Sequence, residues 1–123
     1  MTDEFGGREA FERAAQITPV GYRAQVGSRF QVERAGGPVA LLLADVSDAR
    51  VSGGFVQFSL FFHGPPTGLL SQGIYALAHD TLGTLALFIV PVLGSNHERI
   101  VYEACFNRRA TEGEILSTGG QHA

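Results

Sequence analysis

The chain has 123 residues, of which 45% are hydrophobic and 17% charged, and its twelve acidic and nine basic residues give a net charge of −3. This length fits one domain with a real core, the composition excludes a disordered chain, and the acidic balance argues against nucleic acid as a partner. One cysteine excludes an internal disulfide and Cys-based zinc motifs, and no segment approaches the roughly 20 apolar residues that cross a membrane as a helix.

The first part of the chain, residues 1–16, is predicted to be a leader that ends in a short helix. Its start, MTDEFGGREAFER, is acidic and polar, whereas a signal peptide is basic and then apolar, so the sequence predicts synthesis in the cytoplasm without a signal peptide. In EAFERAAQ, Phe11, Ala14 and Ala15 share one side of a helix and the charged residues take the other.

Residues 17–109 are predicted to form the main, mainly β domain. Six short segments, separated by Gly and Pro turns, have strand character: RFQVER, VALLLADVSDAR, FVQFSLFF, GIYALAH, TLALFIVPV and IVYEACFNR. Without a second helical segment, this pattern predicts a small antiparallel β-barrel or sandwich of about six strands with a short N-terminal helix. Strands that are apolar on both faces must be covered by closure of the sheet, by the helix or by a neighbouring subunit. Residues 110–123, rich in Gly, Ser and Thr, are predicted to be a flexible tail.

The segment YALAHDTLG is predicted to close a hairpin. His79 and Asp80 follow a strand, where their side chains can hydrogen-bond a reversing backbone, and Gly83 can take a positive φ before the next strand begins. In TLALFIVPV, Pro91 cannot donate to a β-ladder, so an edge or a bulge is expected at that point.

The alternative interpretation is a small-molecule or metal-binding barrel with His63, Tyr75, His79 and Asp80 around one rim. No spacing of the histidines forces them to converge as metal ligands, so histidines at strand ends that are bonded by backbone or water are the simpler interpretation. Cys105, in an apolar-rich strand, is interpreted as a small core residue. No nucleotide-binding, hydrolase or metalloprotease motif occurs, and the sequence therefore predicts neither an enzyme nor a cofactor or a metal.

Three stretches, FSLFFHGPP, LLSQGIYALAHDTLGTLALFIVPV and YEACFNR, resemble a known pattern in both order and spacing. The pattern, approximately FSLLFxGP, LxQxxYxLEHxxLGxxxLFLVPV and YEAVF, is that of a family of small bacterial proteins described only as a domain of unknown function, family 6916. The resemblance covers most of the chain, up to about residue 108, and leaves the first helix and the tail outside.

The resemblance bears on three candidate residues and on the kind of partner. His79 matches a pattern histidine, the position of His63 varies in the family, and an aliphatic residue is common where this chain has Cys105. A structural or recognition role for His79 is therefore implied, and a nucleophilic cysteine is not. Genes of the family often lie beside genes that resemble phage-tail collar or tail-fibre proteins, which implies a part in an extracellular or phage-derived assembly.

The sequence favours a non-enzymatic structural or adaptor module that binds copies of itself or a tail-like or collar-like protein. The chain has more large apolar side chains than one small core is expected to hold, and exposed apolar patches usually mark interfaces. The residues that are not all expected to fit inside are Phe55, Phe61, Phe62, Leu69, Leu70 and Phe88. An exposed strand edge and the loop GPPTGLLSQG are the predicted contact surfaces, with the following interaction residues: Phe61, Pro65, Pro66, Leu69 and Leu70. A chaperone-like or immunity partner is a third alternative that no residue selects.

Overall fold

A computed structural model of the chain describes residues 7–92 and 98–119, with side chains up to residue 115. The start of the predicted leader and the end of the predicted tail, residues 1–6 and 120–123, lie outside the described residues, as do residues 93–97. The elements in chain order are α1 Gly7–Gln16, α2 Pro19–Arg23, β1 Arg29–Val32, β2 Val39–Val46, β3 Arg50–Ser52, β4 Phe55–Gly64, β5 Gly73–His79, β6 Gly83–Val92, β7 Ile100–Arg109 and α3 Glu112–Gly119.

Six of the strands close into an antiparallel barrel. Their order around the barrel is β1, β2, β4, β7, β6, β5, and β5 pairs back with β1. The seventh strand, β3, pairs only with β4 and forms a hairpin beside the barrel. The prediction of a mainly β barrel with a short N-terminal helix is confirmed. The prediction that no second helical segment exists was wrong, because α2 and α3 are also helical.

The barrel interior is filled by one face of each strand. On β4, Phe58, Leu60 and Phe62 point inward, as the alternation of the sequence predicts, and each is buried. The ring of Phe62 lies edge-on to that of Phe30 from β1, with 5.3 Å between the ring centres. Because the large inward side chains are buried against one another, the interior is a packed core, and each side chain of this size contributes about 1.5 to 3 kcal/mol to stability.

Helix α1 packs against the barrel where β6 and β7 diverge. The two strands pair only over Val90–Val92 and Val101–Glu103, and beyond that point the small residues Ala10 and Ala14 of α1 are buried. Tyr22 of α2 fixes the helix, because its hydroxyl donates to the carbonyl of Ala14 at 2.7 Å. The helix predicted as part of a leader is therefore part of the barrel wall.

Pro91 lies near the end of β6. Pro91 pairs with Tyr102 of β7 but lies beyond the last residue of β6 that pairs with β5, Ile89, so its missing N–H costs no ladder bond on that side. This agrees with the edge that the proline predicts.

In the segment predicted to be a flexible tail, the structure instead has α3, which begins after Thr111.

Candidate functional site

His79 closes the turn between β5 and β6. Its Nδ1 accepts hydrogen bonds from the backbone N–H groups of Thr81 at 3.0 Å and Leu82 at 3.1 Å. Gly83 follows with φ of +80°, a conformation that glycine adopts without strain. The hairpin predicted from the sequence is present, and His79 hydrogen-bonds its reversing backbone.

The other ring nitrogen of His79 ties this turn to the start of β1. Because Nδ1 accepts two bonds, the ring proton sits on Nε2, which donates to Ser28 Oγ at 2.8 Å, and Ser28 Oγ donates in turn to the carbonyl of Gln25 at 2.6 Å. The ring also packs on Phe30, with 4.4 Å between ring centres, and is 9% exposed. Neither ring nitrogen keeps a lone pair for a metal ion in this arrangement.

The four residues predicted around one rim do not come together. His63 lies on the outer face of β4, half-buried between Leu42 and Val101, whereas His79 lies on the inner face of β5. Burial, and then the nearby Arg99 cation, lower the pKa of His63. Tyr75 is four residues from His79 along β5, about 13 Å at the rise of a strand, and its hydroxyl donates to Ser71 O. Asp80 is exposed.

Metal binding receives no support from the rest of the described chain. No three His, Cys, Asp or Glu side chains group there in a way that could hold an ion. Within the same residues, no helix has the length and apolar character needed to cross a membrane.

Only some residues of the predicted contact loop between β4 and β5 are exposed to solvent. Leu70 is 2% exposed and its N–H donates to the buried hydroxyl of Tyr102 at 2.9 Å, so the prediction that Leu70 is a surface anchor was wrong. The reason is that this loop connects strands that are not neighbours, and Leu70 packs into the core on the way. Leu69, at 57% exposed, and Pro66 do face solvent, while Phe61 and Pro65 are half-buried.

Cys105 lies exposed on the outer face of β7, so its interpretation as a core residue was wrong. Its thiol donates to Glu103 Oε2 at 3.1 Å, and Ser59 Oγ donates to the same oxygen at 2.6 Å. Ser59 Oγ also lies 3.4 Å from Cys105 Sγ, and this contact lowers the pKa of the thiol, but partial burial and the Glu103 carboxylate raise it by more, so the net pKa is raised. The thiolate, which is the reactive form, is therefore disfavoured.

We expect Cys105 to react slowly with a disulfide reagent at pH 8 and Glu103→Gln to speed the reaction several-fold, because the carboxylate raises the thiol pKa. The measurement is the rate of thiol release, with the protein unfolded in urea as the reference for a free thiol. Equal rates in the folded wild type, the variant and the unfolded chain would contradict the role given to Glu103.

The outer face of β5 and β6 is apolar where an antiparallel sheet facing water is expected to be polar. Ile74 and Phe88 form a cross-strand pair and are 37% and 49% exposed, and Phe11 of α1, at 40%, lies beside them. Together they border a groove of about 210 Å³. We call this surface the apolar groove; its lining includes Phe11, Ala15, Ile74, Ala86, Phe88 and Phe106.

Comparison with known proteins places the chain in a family. A family model described as Domain of unknown function (DUF6916) matches residues 17–106. The chain belongs to this family. No curated protein and no solved structure matches the DUF6916 chain.

The residues that carry the resemblance have structural roles in this DUF6916 domain. His79 bonds its turn, and Phe58, Leu60 and Phe62 fill the core. Gly64 allows a close approach: a Cβ atom there would lie 2.8 Å from Leu41 Cδ2 and 2.9 Å from Tyr102 Cε2. In this chain, these positions therefore contribute to the folding of the DUF6916 domain.

Sequence analysis missed the contact that fixes α3 to the DUF6916 barrel. Arg108 of β7 binds both carboxylate oxygens of Glu114, each at 2.9 Å, and also donates to the carbonyl of Ile17. Thr111 and Glu114 form a reciprocal helix cap, in which Thr111 Oγ1 accepts from Glu114 N and Glu114 Oε1 accepts from Thr111 N. The signal was present in the sequence as Thr-Glu-Gly-Glu, the Thr-x-x-Glu pattern of a capping box.

We expect acid to remove this contact. The hydrogen bond from Arg108 lowers the pKa of Glu114 from 4.5 to about 2, against the opposing effect of burial. A carboxylate with a lowered pKa stabilises the fold above its unfolded pKa and loses that contribution as the pH falls through the folded value, here between pH 4.5 and about 2. Glu114→Gln should cost about 1 kcal/mol of unfolding free energy at pH 7.

Circular dichroism melting at pH 7 and pH 2 measures this effect. The gap in melting temperature between wild type and Glu114→Gln should be present at pH 7 and close at pH 2. Glu112→Gln, in the same turn but with an exposed side chain, is the matched control and should melt close to the wild type. A gap that stays the same at both pH values would show that Glu114 is not the titrating group.

Proposed function

We propose that this DUF6916 domain is a non-enzymatic assembly module that binds further copies of itself. The observation that carries the proposal is the exposed pair Ile74 and Phe88 on the outer face of β5 and β6, beside the exposed Phe11. Closure of the barrel covers the inner faces of the strands, and α1 covers Ala86. The remaining outer surface has no cover within the described residues, and a neighbouring subunit would supply it.

Energetics support this use of the surface. Completing the burial of three large side chains that are each 37% to 49% exposed would contribute about 1 kcal/mol apiece. Each gain is smaller than the roughly 2 kcal/mol or more of the strongest interface anchors, but the three side chains together would contribute about 3 kcal/mol per protomer. Two polar side chains that could otherwise take part in binding or chemistry are engaged in the fold: His79 bonds its turn and Tyr102 accepts the Leu70 amide.

The predicted route through an exposed strand edge has only short edges to use within the described residues. The free side of β3 offers three residues, Arg50–Ser52, the start of β5 before Leu77 has no partner in β1, and α1 lies against the part of β6 that does not pair with β7. Because edges this short supply few backbone hydrogen bonds, side chains of the apolar groove replace a strand edge as the proposed contact. Leu69 and Pro66 on the β4–β5 loop are available for a second contact, for example with a tail-like or collar-like partner, which stays a prediction.

Light scattering over a concentration series tests self-association. We expect a mass that is a small multiple of the chain mass by about 100 μM, a concentration at which even a complex of micromolar Kd is fully populated. A single monomeric species at every concentration would overturn the proposal.

A further inference from the structure

We propose that the partner on the apolar groove is a second copy of this chain, docked about a two-fold axis with its α1 antiparallel to the first. This inference rests on the self-association proposed above and adds the surface, the symmetry and the residues that set the register. It begins with the charges on the free side of α1. Arg8, Glu12 and Ala15 lie at intervals of four and three residues, so they form one stripe along the helix, and all three are exposed.

The charges on this stripe are self-complementary. In a two-fold interface, residue i of one protomer meets residue j of the other, and j meets i. Antiparallel α1 helices that meet near their middle place Arg8 beside Glu12 of the second copy, and Glu12 beside Arg8 of the second copy. Within the described residues neither side chain forms an ion pair, so both charges are available. Parallel helices in the same register would instead set like charges together.

The apolar groove lies beside this charged stripe. Phe11 is next to the stripe on α1 and faces the groove, where it lines the same 210 Å³ space as Ile74 and Phe88. Phe88, 49% exposed beside an open groove, gives each protomer both a protruding ring and a space to receive one. Under a two-fold axis through this surface, each ring enters the groove of the other protomer and both grooves are filled, so the assembly closes as a dimer.

Charge reversal with complementation tests the arrangement. Arg8→Glu alone sets two carboxylates side by side at both symmetric contacts, and Glu12→Arg alone sets two guanidinium groups side by side there. Each variant should lose dimer affinity about tenfold, because like charges replace opposite ones twice. An equimolar mixture of the two variants should form heterodimers, since both contacts are then between opposite charges. Sedimentation velocity of each variant and of the mixture measures this.

Matched controls separate the surface from the fold. Phe88→Ser should abolish the dimer, whereas Phe55→Ser, a phenylalanine that is 44% exposed on the β3–β4 hairpin, should leave it intact. Arg29→Glu, an exposed charge reversal on β1, should also leave it intact. Recovery of dimer in the mixture itself shows that both charge variants are folded.

The outcomes distinguish this inference from the proposal beneath it. A wild type that dimerises while Phe88→Ser also dimerises overturns the groove as the interface but keeps self-association. Loss of dimer in Phe88→Ser without recovery in the charge mixture overturns the antiparallel two-fold. A wild type that stays monomeric overturns both.

Discussion

Replacing His79 with alanine is expected to destabilise the barrel by about 3 kcal/mol. The change leaves the N–H groups of Thr81 and Leu82 without their acceptor and removes a ring that packs on Phe30. Because Thr81 is exposed and Leu82 half-buried, water replaces part of what is lost, so each hydrogen bond is worth about 1 kcal/mol, and the lost packing on Phe30 adds to that. Urea unfolding followed by far-ultraviolet circular dichroism measures the change in unfolding free energy.

Other substitutions at the same position separate the roles of the two ring nitrogens. The side-chain oxygen of asparagine occupies nearly the place of Nδ1, so His79→Asn should retain the turn bonds and recover part of the loss. Glutamine reaches the place of Nε2 instead, so His79→Gln should keep the contact with Ser28 and recover less, because the turn has two bonds to lose and Ser28 has one.

The matched control is the second histidine that the sequence singled out. His63→Ala removes a half-buried ring from the outer face of β4, where it takes part in no turn, and should cost less than about 1 kcal/mol. The mass in solution should not change for His79→Ala while it remains folded. Equal losses of stability for the two histidines, or a change in assembly without a change in stability, would contradict a turn role for His79.

The sequence predicted this turn because all of its signals are local. A strand, a histidine, an Asp-Thr-Leu turn and a glycine lie within ten residues, and the residues that bond each other are two or three apart. Alternation along β4 was predicted correctly for the same reason. Ser28, which lies 51 residues from His79, could not be found this way, because only the closed barrel brings β1 beside β5.

The errors at Leu70 and Cys105 have different physical causes. Cys105 shares its face of β7 with Glu103 and Asn107, so the alternation of the strand already pointed it outward, and the interpretation as a core residue gave too much weight to its size. Leu70 lies in a loop, where an apolar residue can face solvent or enter the core, and the outcome depends on which strands are neighbours. Here β4 is followed in sequence by β5 but lies between β2 and β7 in the barrel. The connecting loop therefore passes over the core, and Leu70 packs into it.

Gly64 packs against the Tyr102 ring whose hydroxyl bonds Leu70, and Gly64→Ala is expected to destabilise the barrel by about 2 kcal/mol. The added methyl group would lie 2.8 Å from Leu41 Cδ2 and 2.9 Å from Tyr102 Cε2, closer than carbon atoms can pack. Both neighbours are fully buried, so neither can move without displacing other core residues. The measurement is again unfolding in urea.

A second readout follows the Tyr102 ring. Its hydroxyl accepts the N–H of Leu70, so a ring pushed aside by the new methyl group should weaken that bond and speed hydrogen exchange at the Leu70 amide. Gly73→Ala is the control: its nearest atoms would be 3.7 Å away and its φ is not positive, so it should stay within about 0.5 kcal/mol of the wild type. If both variants lose the same stability, the cause lies in strand propensity and not in the contact with Tyr102. If Gly64→Ala alone is destabilised and its Leu70 amide exchanges faster, the glycine of the His-Gly-Pro-Pro segment is needed to seat the loop over the core.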